Sequence, residues 1–300
     1  MNLVKKYFLS TRPMFFPAVV LPILIGVGAA KKLTGLYDPW LFFLTILAGI
    51  LYHAGMNVIN DYFDHTLGSD GANKTPLSPF TGGSRMIQKG LISATATLRL
   101  SIVLLLTGSV IGVYLALESG PLLLLIGAFG LLSGVLYSAP PLRLNSRGVG
   151  EIVVGVNFGI LTVLGSFYVQ SSSIALEPFL LSLPVSLLIS GLLFINEFPD
   201  FLGDKATGKN TLVVQLGLKR ARFGLLIITL LTYLSIALPV ALGILPLISG
   251  AALGATTLAL IASILLIKKY DQPLGLLPAV KCTVFAHFFT GVLLALSITL

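Results

Sequence analysis

Six of the chain's eleven acidic residues fall in two short windows, residues 61–70 and 197–204. The first lies in NVINDYFDHTLGSD, residues 57–70. There Asn60 and Asp64 are four apart and share one face of a helix, with Asn57 nearby and Asp61 about 100° around. The second lies in NEFPDFLGDKATGKNTL, residues 196–212, where Asn196, Asp200 and Asp204 form an i, i+4, i+8 stripe. The interval from Asn60 to Asn196 equals that from Asp64 to Asp200, so one Asn-x-x-x-Asp device occurs twice. Oxygen donors of this kind suit a hard cation such as Mg²⁺, which takes one or two carboxylates and completes its shell with phosphate oxygens. Bases flank the acids: Arg85 and Lys89 after the first stripe, Lys205 and Lys209 after the second, and Arg143 in YSAPPLRLNSRGVGE. Acids for a metal and bases for phosphate together attract a diphosphate that carboxylates alone would repel. The glycine-rich TGGSRMIQKG, residues 81–90, lets backbone approach a phosphate, though it is a weak signal by itself.

The elements that must position these residues are set by composition. The 300 residues are 56% hydrophobic and 10% charged, with mean hydropathy +0.99, so the chain belongs in a membrane, and clustered carboxylates there call for a use. The net charge of +8 comes from few acids rather than many bases, which excludes a nucleic-acid binder, and the hydrophobicity excludes disorder. Apolar windows long enough to cross the bilayer fall at roughly 14–30, 40–59, 98–117, 121–138, 151–170, 176–195, 223–242, 244–267 and 276–299. Without period-2 alternation these predict an all-α, polytopic bundle of nine transmembrane helices in one domain, residues 1–300. The N-terminal stretch mimics a signal peptide, but apolar segments continue to the last residue, so it reads as a retained first span.

A cytoplasmic N-terminus puts Lys31 and Lys32 outside. The other bases are then inside, among them Lys5, Lys6, Lys74, Arg99, Arg147, Lys219, Arg220, Arg222, Lys268, Lys269 and Lys281. The same registration makes residues 60–97 and 196–222 two long, Asp-rich cytoplasmic segments. Plainer readings cover other residues. Asp70 is a turn residue after Gly68 or a further metal ligand, and the basic clusters set topology and touch anionic lipid. His65 is expected to be exposed, and His53 and His287 to make internal hydrogen bonds. Cys282, the single cysteine, is expected to be a small buried hydrophobe. Phe15, Phe16, Phe158, Phe167 and Tyr168 are core, lipid-facing or tunnel residues.

Taken together these residues resemble the UbiA superfamily of intramembrane aromatic prenyltransferases over nearly the whole chain. Its Asn-Asp-x-x-Asp motif matches Asn60, Asp61 and Asp64, and its second motif matches Asn196, Asp200 and Asp204. NDYFDHTLGSD, TGGSRMIQKG, YSAPPLRLNSRGVGE and the DKATGKNTLVVQLG stretch look most like the menaquinone-pathway branch, the 1,4-dihydroxy-2-naphthoate polyprenyltransferases. Many members place a further Asp where this chain has Gly68, with Asp70 two residues on, a pattern similar to the naphthoate branch. The resemblance implies diphosphate binding by Arg12, Tyr137, Arg143, Lys205 and Lys209, with Asn57 beside them.

On this reading Mg²⁺ is held by Asn60, Asp64, Asn196, Asp200 and Asp204, with Asp70 in addition, and neutralises a departing pyrophosphate. The allylic cation is shielded from water in the bundle and attacked by an electron-rich ring, with Asp61 or Asp64 a candidate for activating the ring hydroxyl. The implied partners are a prenyl diphosphate, a lipophilic aromatic acceptor and the bilayer, with no obligate protein partner. Geranylgeranylglyceryl phosphate and haem or chlorophyll precursors are alternative acceptors. An ion-coupled transporter would place its acids near the bilayer midplane instead. The Asp-Gly-x-x-Ala-Arg opening of a CDP-alcohol phosphotransferase is absent.

Overall fold

Proline and aspartate fix where the central helix starts. Pro39 occupies its first turn, and the Asp38 carboxylate accepts the N–H groups of Trp40 and Leu41 at 2.7 and 3.0 Å. It ends at Gly68, whose φ of +87° lets its N–H close on the carbonyls of Asp64 and His65. A computed structural model describes residues 2–73, 76–77 and 79–299 of the protein; Lys74, one of the bases assigned to the inside, lies outside the described residues.

In chain order the helices are α1 (Leu3–Ser10), α2 (Pro17–Thr34), α3 (Pro39–Leu67), the single turn α4 (Ser69–Ala72), α5 (Ala94–Ser119) and α6 (Leu122–Ser138). Next come α7 (Gly150–Ser171), α8 (Leu176–Ala206), the short α9 (Leu212–Leu216), α10 (Leu218–Ala241), α11 (Leu247–Lys269) and α12 (Pro273–Thr299). Among the described residues, eight of these helices are long and apolar enough to cross a membrane. The ninth expected span is α6, an apolar helix of 17 residues that falls short of that length. The protein is an all-helical, integral membrane bundle.

Length explains where the acids sit. At 1.5 Å per residue, Asp61 lies about 33 Å from the start of α3 and Asp200 about 36 Å from the start of α8, past a hydrocarbon core of about 30 Å. The carboxylates therefore ride on the last turns of two overlong helices rather than in the loops that the sequence suggested. Both helices carry their acids to the same end of the bundle.

The interior is more polar than the perimeter. Thr229 pairs with Ser263, Tyr233 with Thr290 and Ser249 with Ser297 between buried helix faces, whereas Val110, Leu117 and Leu230 are exposed, Leu117 at 79%. Cys282 packs half-buried against the cluster around Phe194, Phe198 and Leu266. Small residues let α7 and α8 approach closely: Ser186 Oγ donates to the Gly155 carbonyl at 2.8 Å, and Ser190 Oγ to that of Glu151. Between them α7 widens into a π turn over Val156–Leu161, with Thr162 Oγ donating to the Asn157 carbonyl five residues back. A Cβ on Gly159 would collide with Ser186 Cα and stand 2.7 Å from its nitrogen, and backbone cannot yield as a side chain can. Gly159→Ala should therefore cost about 1–3 kcal/mol of stability, read as a lowered thermal midpoint in detergent. An unchanged midpoint would show that the two helices slide freely.

Candidate active site

The ends of α3 and α8 face a polar cavity of about 110 Å³. Asn60 and Asp64 line it from α3, and Asn196, Glu197, Asp200 and Asp204 from α8. Asp70, Asn145, Thr211, Tyr137, Arg12 and Lys209 also belong to its wall. The two Asn-x-x-x-Asp stripes are thus brought together.

One cation joins them. Lys209 Nζ donates to Asp64 Oδ2 at 3.0 Å and stands 3.7 Å from Asp204 Oδ1, bridging the first stripe to the second. Burial works against its charge, but Asp64 and Asp204 outweigh that and hold the ammonium well above the ordinary lysine range. At the cavity's other wall, burial and then the neighbouring Asp64 and Asp61 push the Asp70 carboxyl up to about 8. Asp70 is buried and accepts Gln88 Nε2 at 2.9 Å, so it is part of the site and not merely a turn residue.

Two further acids hold the glycine-rich segment over the cavity. Asp61 accepts the Ser84 N–H at 3.0 Å, and Asp200 accepts the Gly82 N–H at 3.2 Å together with Asn73 Nδ2. Gly83, at φ +71°, lies so close that a Cβ there would be 2.8 Å from Asp61 Oδ1 and 3.0 Å from Asp70 Oδ2. The glycines let backbone lie against carboxylates as well as line the cavity. Arg12 Nη2 donates to the Phe80 carbonyl at 3.1 Å and ties the start of the first span to the same segment. Asn57 donates to the Thr11 carbonyl at 3.2 Å, bracing that turn.

Arg143, Lys205 and Lys89 are exposed and do not line the cavity; Lys205 Nζ lies over the Phe201 ring instead. His65 is exposed as expected. The internal hydrogen bonds expected for His53 and His287 are not made. Both nitrogens of His53 and Nε2 of His287 are buried without a protein partner, and His53 packs against the rings of Phe16 and Phe158. Sequence reasoning missed Glu197, which sits beside Asn196 and accepts the Val213 N–H at 3.1 Å, and it missed Asn145 and Thr211. The signal for Glu197 was adjacency to a motif; Asn145 and Thr211 are recognisable only in three dimensions.

An apolar cavity of about 520 Å³ adjoins this polar one, and Arg12, Asn60, Tyr137, Leu193 and Asn196 line both. Its walls include Gly49, Met56, Gly112, Leu124 and Gly134, with Phe15 and Phe158 among the aromatics. Phe167 and Tyr168 are buried core instead. A charged mouth of both signs on an apolar tunnel in a membrane bundle defines a class: a membrane protein for amphiphiles with an anionic head.

The UbiA prenyltransferase family model matches residues 19–277, and the chain belongs to that family. It is 28% identical over 295 residues to 1,4-dihydroxy-2-naphthoate octaprenyltransferase of Bacillus subtilis (strain 168), covering 96% of this chain and 90% of that protein. It is 31% identical over 250 residues to the enzyme of the same name from Haemophilus influenzae, covering 79% of each. Its fold is shared with a UbiA homologue from Archaeoglobus fulgidus bound to DMAPP and Mg²⁺, at TM-score 0.64, 17% identity and coverage of 96% and 99%.

Proposed function

We infer that the protein transfers a prenyl group from an allylic prenyl diphosphate to a 1,4-dihydroxy-2-naphthoate-type acceptor within the membrane, with Mg²⁺. The observation that carries this reading is the adjacency of the mouth and the tunnel at Arg12, Asn60, Tyr137 and Asn196, which suits a diphosphate head on a hydrocarbon tail. The names of the two bacterial relatives support the naphthoate acceptor. The archaeal homologue, solved with an allylic diphosphate and Mg²⁺, supports the donor and the metal.

The residues fit a hard divalent cation. Every candidate donor is oxygen, Asn196 Oδ1 is buried without a protein partner, and an ammonium already stands between Asp64 and Asp204. Among the described residues no three His, Cys, Asp or Glu side chains converge to hold a metal alone, which suits an ion that takes further ligands from the substrate's phosphates. Asn60, Asp64, Asn196, Asp200, Asp204 and Asp70 would hold it, and the metal supplies neutralisation of charge on the departing diphosphate. Lys209, Arg12 and Tyr137 bind and orient that diphosphate, with Arg143 and Lys205 adding positive potential from outside the cavity. The apolar walls keep water from the allylic cation, and the ring attacks at the allylic carbon while its carboxylate departs as carbon dioxide. Asp61 is tied to Ser84 and Asp64 to Lys209, so neither carboxylate stands free to take a proton from a ring hydroxyl. The bias of bases toward the site end supports a mouth and an N-terminus on the cytoplasmic side of a nine-span bundle.

Purified full-length protein given geranylgeranyl diphosphate, Mg²⁺ and 1,4-dihydroxy-2-naphthoate should yield the decarboxylated prenyl naphthoquinol, identified by mass, and none when EDTA replaces Mg²⁺. Transfer only to a glycerol phosphate acceptor would overturn the aromatic assignment.

A further inference from the structure

The described wall of the tunnel includes a polar group, His53, that a hydrocarbon tail cannot use and that lies away from the polar mouth. His53 lines it from α3, is 5% exposed, and has no protein partner at either Nδ1 or Nε2. Several of the wall's hydroxyls and amides are satisfied within the protein: Tyr52 donates to Ser109 at 3.1 Å, Thr45 to the Leu41 carbonyl, Asn157 to the Val153 carbonyl and Ser166 to that of Val163. Among the described lining residues, the other buried polar atoms left over are Arg12 Nε and Asn196 Oδ1, and both of those residues also line the polar mouth. His53 is the exception deeper in.

Its surroundings orient it. The imidazole meets the Phe158 ring edge-on at 4.9 Å between centroids and the Phe16 ring at 5.9 Å. Phe158 is carried by the π turn of α7, where the helix widens beside the tunnel. Seven residues separate His53 from Asn60 on one helix, about 10 Å along its axis, so His53 lies two turns below the diphosphate mouth. That sets it in the apolar tunnel and outside the lining of the diphosphate mouth. A phenylalanine would fill this space without burying two unpaired nitrogens, so the histidine calls for a ligand that forms hydrogen bonds. A prenyl chain offers only C–H; a hydroxylated aromatic offers O–H and oxygen lone pairs on a flat ring that matches the aromatic walls.

We propose that His53 is the acceptor-binding residue, hydrogen-bonding a ring hydroxyl of the aromatic substrate on the stretch of tunnel wall that it shares with Phe158. This rests on the transferase reading and adds the residue that selects its second substrate. His53 thereby favours hydroxylated rings over unsubstituted ones, by the asymmetry that leaves a buried polar group unpaired when the wrong ligand binds.

The test uses the full-length protein with Mg²⁺, geranylgeranyl diphosphate and 1,4-dihydroxy-2-naphthoate. His53→Leu should raise the acceptor KM about tenfold, the scale of one lost neutral hydrogen bond, with the prenyl diphosphate KM within about twofold of wild type. Competitive inhibition by 2-naphthoate, which has no ring hydroxyl, should be unchanged, and His53→Gln should restore most of the acceptor affinity. An unchanged acceptor KM, or 2-naphthoate inhibition that weakens in step with it, overturns the assignment. Should His53→Leu fail to fold, nitrogen-15 histidine spectra of the wild type decide. With three histidines in the chain, the His53 ring nitrogens should shift on adding the hydroxylated acceptor and not on adding 2-naphthoate, and an indifferent His53 signal refutes the proposal. A wild type that prenylates no hydroxylated aromatic fails the transferase reading and His53 with it, whereas an active wild type with an indifferent His53 overturns only the latter.

Discussion

Asp64→Ala is expected to lower Mg²⁺-dependent prenyl transfer by about 10³-fold while the protein still folds, a loss of the size seen when a preorganised charge-stabilising group is removed. Asp64 is the α3 carboxylate that reaches across to the second stripe through Lys209, at 3.0 Å. Its removal deprives the cation seat of one of its two sides and leaves Lys209 leaning on Asp204, 3.7 Å away. Neither water nor the neighbouring Asp61, already bonded to Ser84, replaces it. Asp64→Asn keeps the shape and loses the charge, so it should lie with alanine and not with wild type. Turnover with radiolabelled prenyl diphosphate across a Mg²⁺ series is the measurement, with a thermal midpoint as the folding control. Activity within a few-fold of wild type would remove Asp64 from the machinery and with it the paired-stripe mechanism.

Lys209→Met should move two quantities in opposite directions. The lysine at present neutralises Asp64 and Asp204; without it two buried carboxylates face each other across the mouth. A divalent cation then meets less competition, so Mn²⁺ binding without substrate, followed by its paramagnetic signal, should tighten. The diphosphate loses its buried cationic partner, and kcat/KM for prenyl diphosphate should fall about 10²-fold. Loss of both affinities together would make Lys209 a clamp that holds the helix ends in place rather than a substrate ligand. The opposed signs distinguish a residue that exchanges partners during binding from one that only stabilises the fold.

The sequence carried much of this because helical periodicity is a local property. Asn60 with Asp64, and Asn196 with Asp200 and Asp204, must share a face wherever those helices lie. A lipid environment also leaves few choices for the backbone, so apolar length located the starts of the spans to within about five residues but ended α3 and α8 short, at 59 and 195 against Leu67 and Ala206. Roles that depend on what stands opposite were not available from spacing. Asp61 and Asp64 are three residues apart in one motif, yet one anchors the glycine-rich segment and the other holds Lys209. Likewise Lys205 and Lys209 are both bases after the second stripe. The helix end at Ala206 leaves Lys205 on the outside, while the turn beyond it brings Lys209 into the cavity.

The sequence by itself determined an all-helical membrane chain and two matched acid stripes of helical spacing, because composition and local spacing suffice for both. Only the tertiary structure decided that the stripes face one cavity, that Lys209 joins them, and that His53 lies with both nitrogens unpaired among Phe16 and Phe158 in the tunnel below. Those facts depend on how close α7 and α8 approach and on which face each helix turns to its neighbours, and packing sets these through residues such as Gly155, Gly159 and Ser186, far from the motifs in the chain.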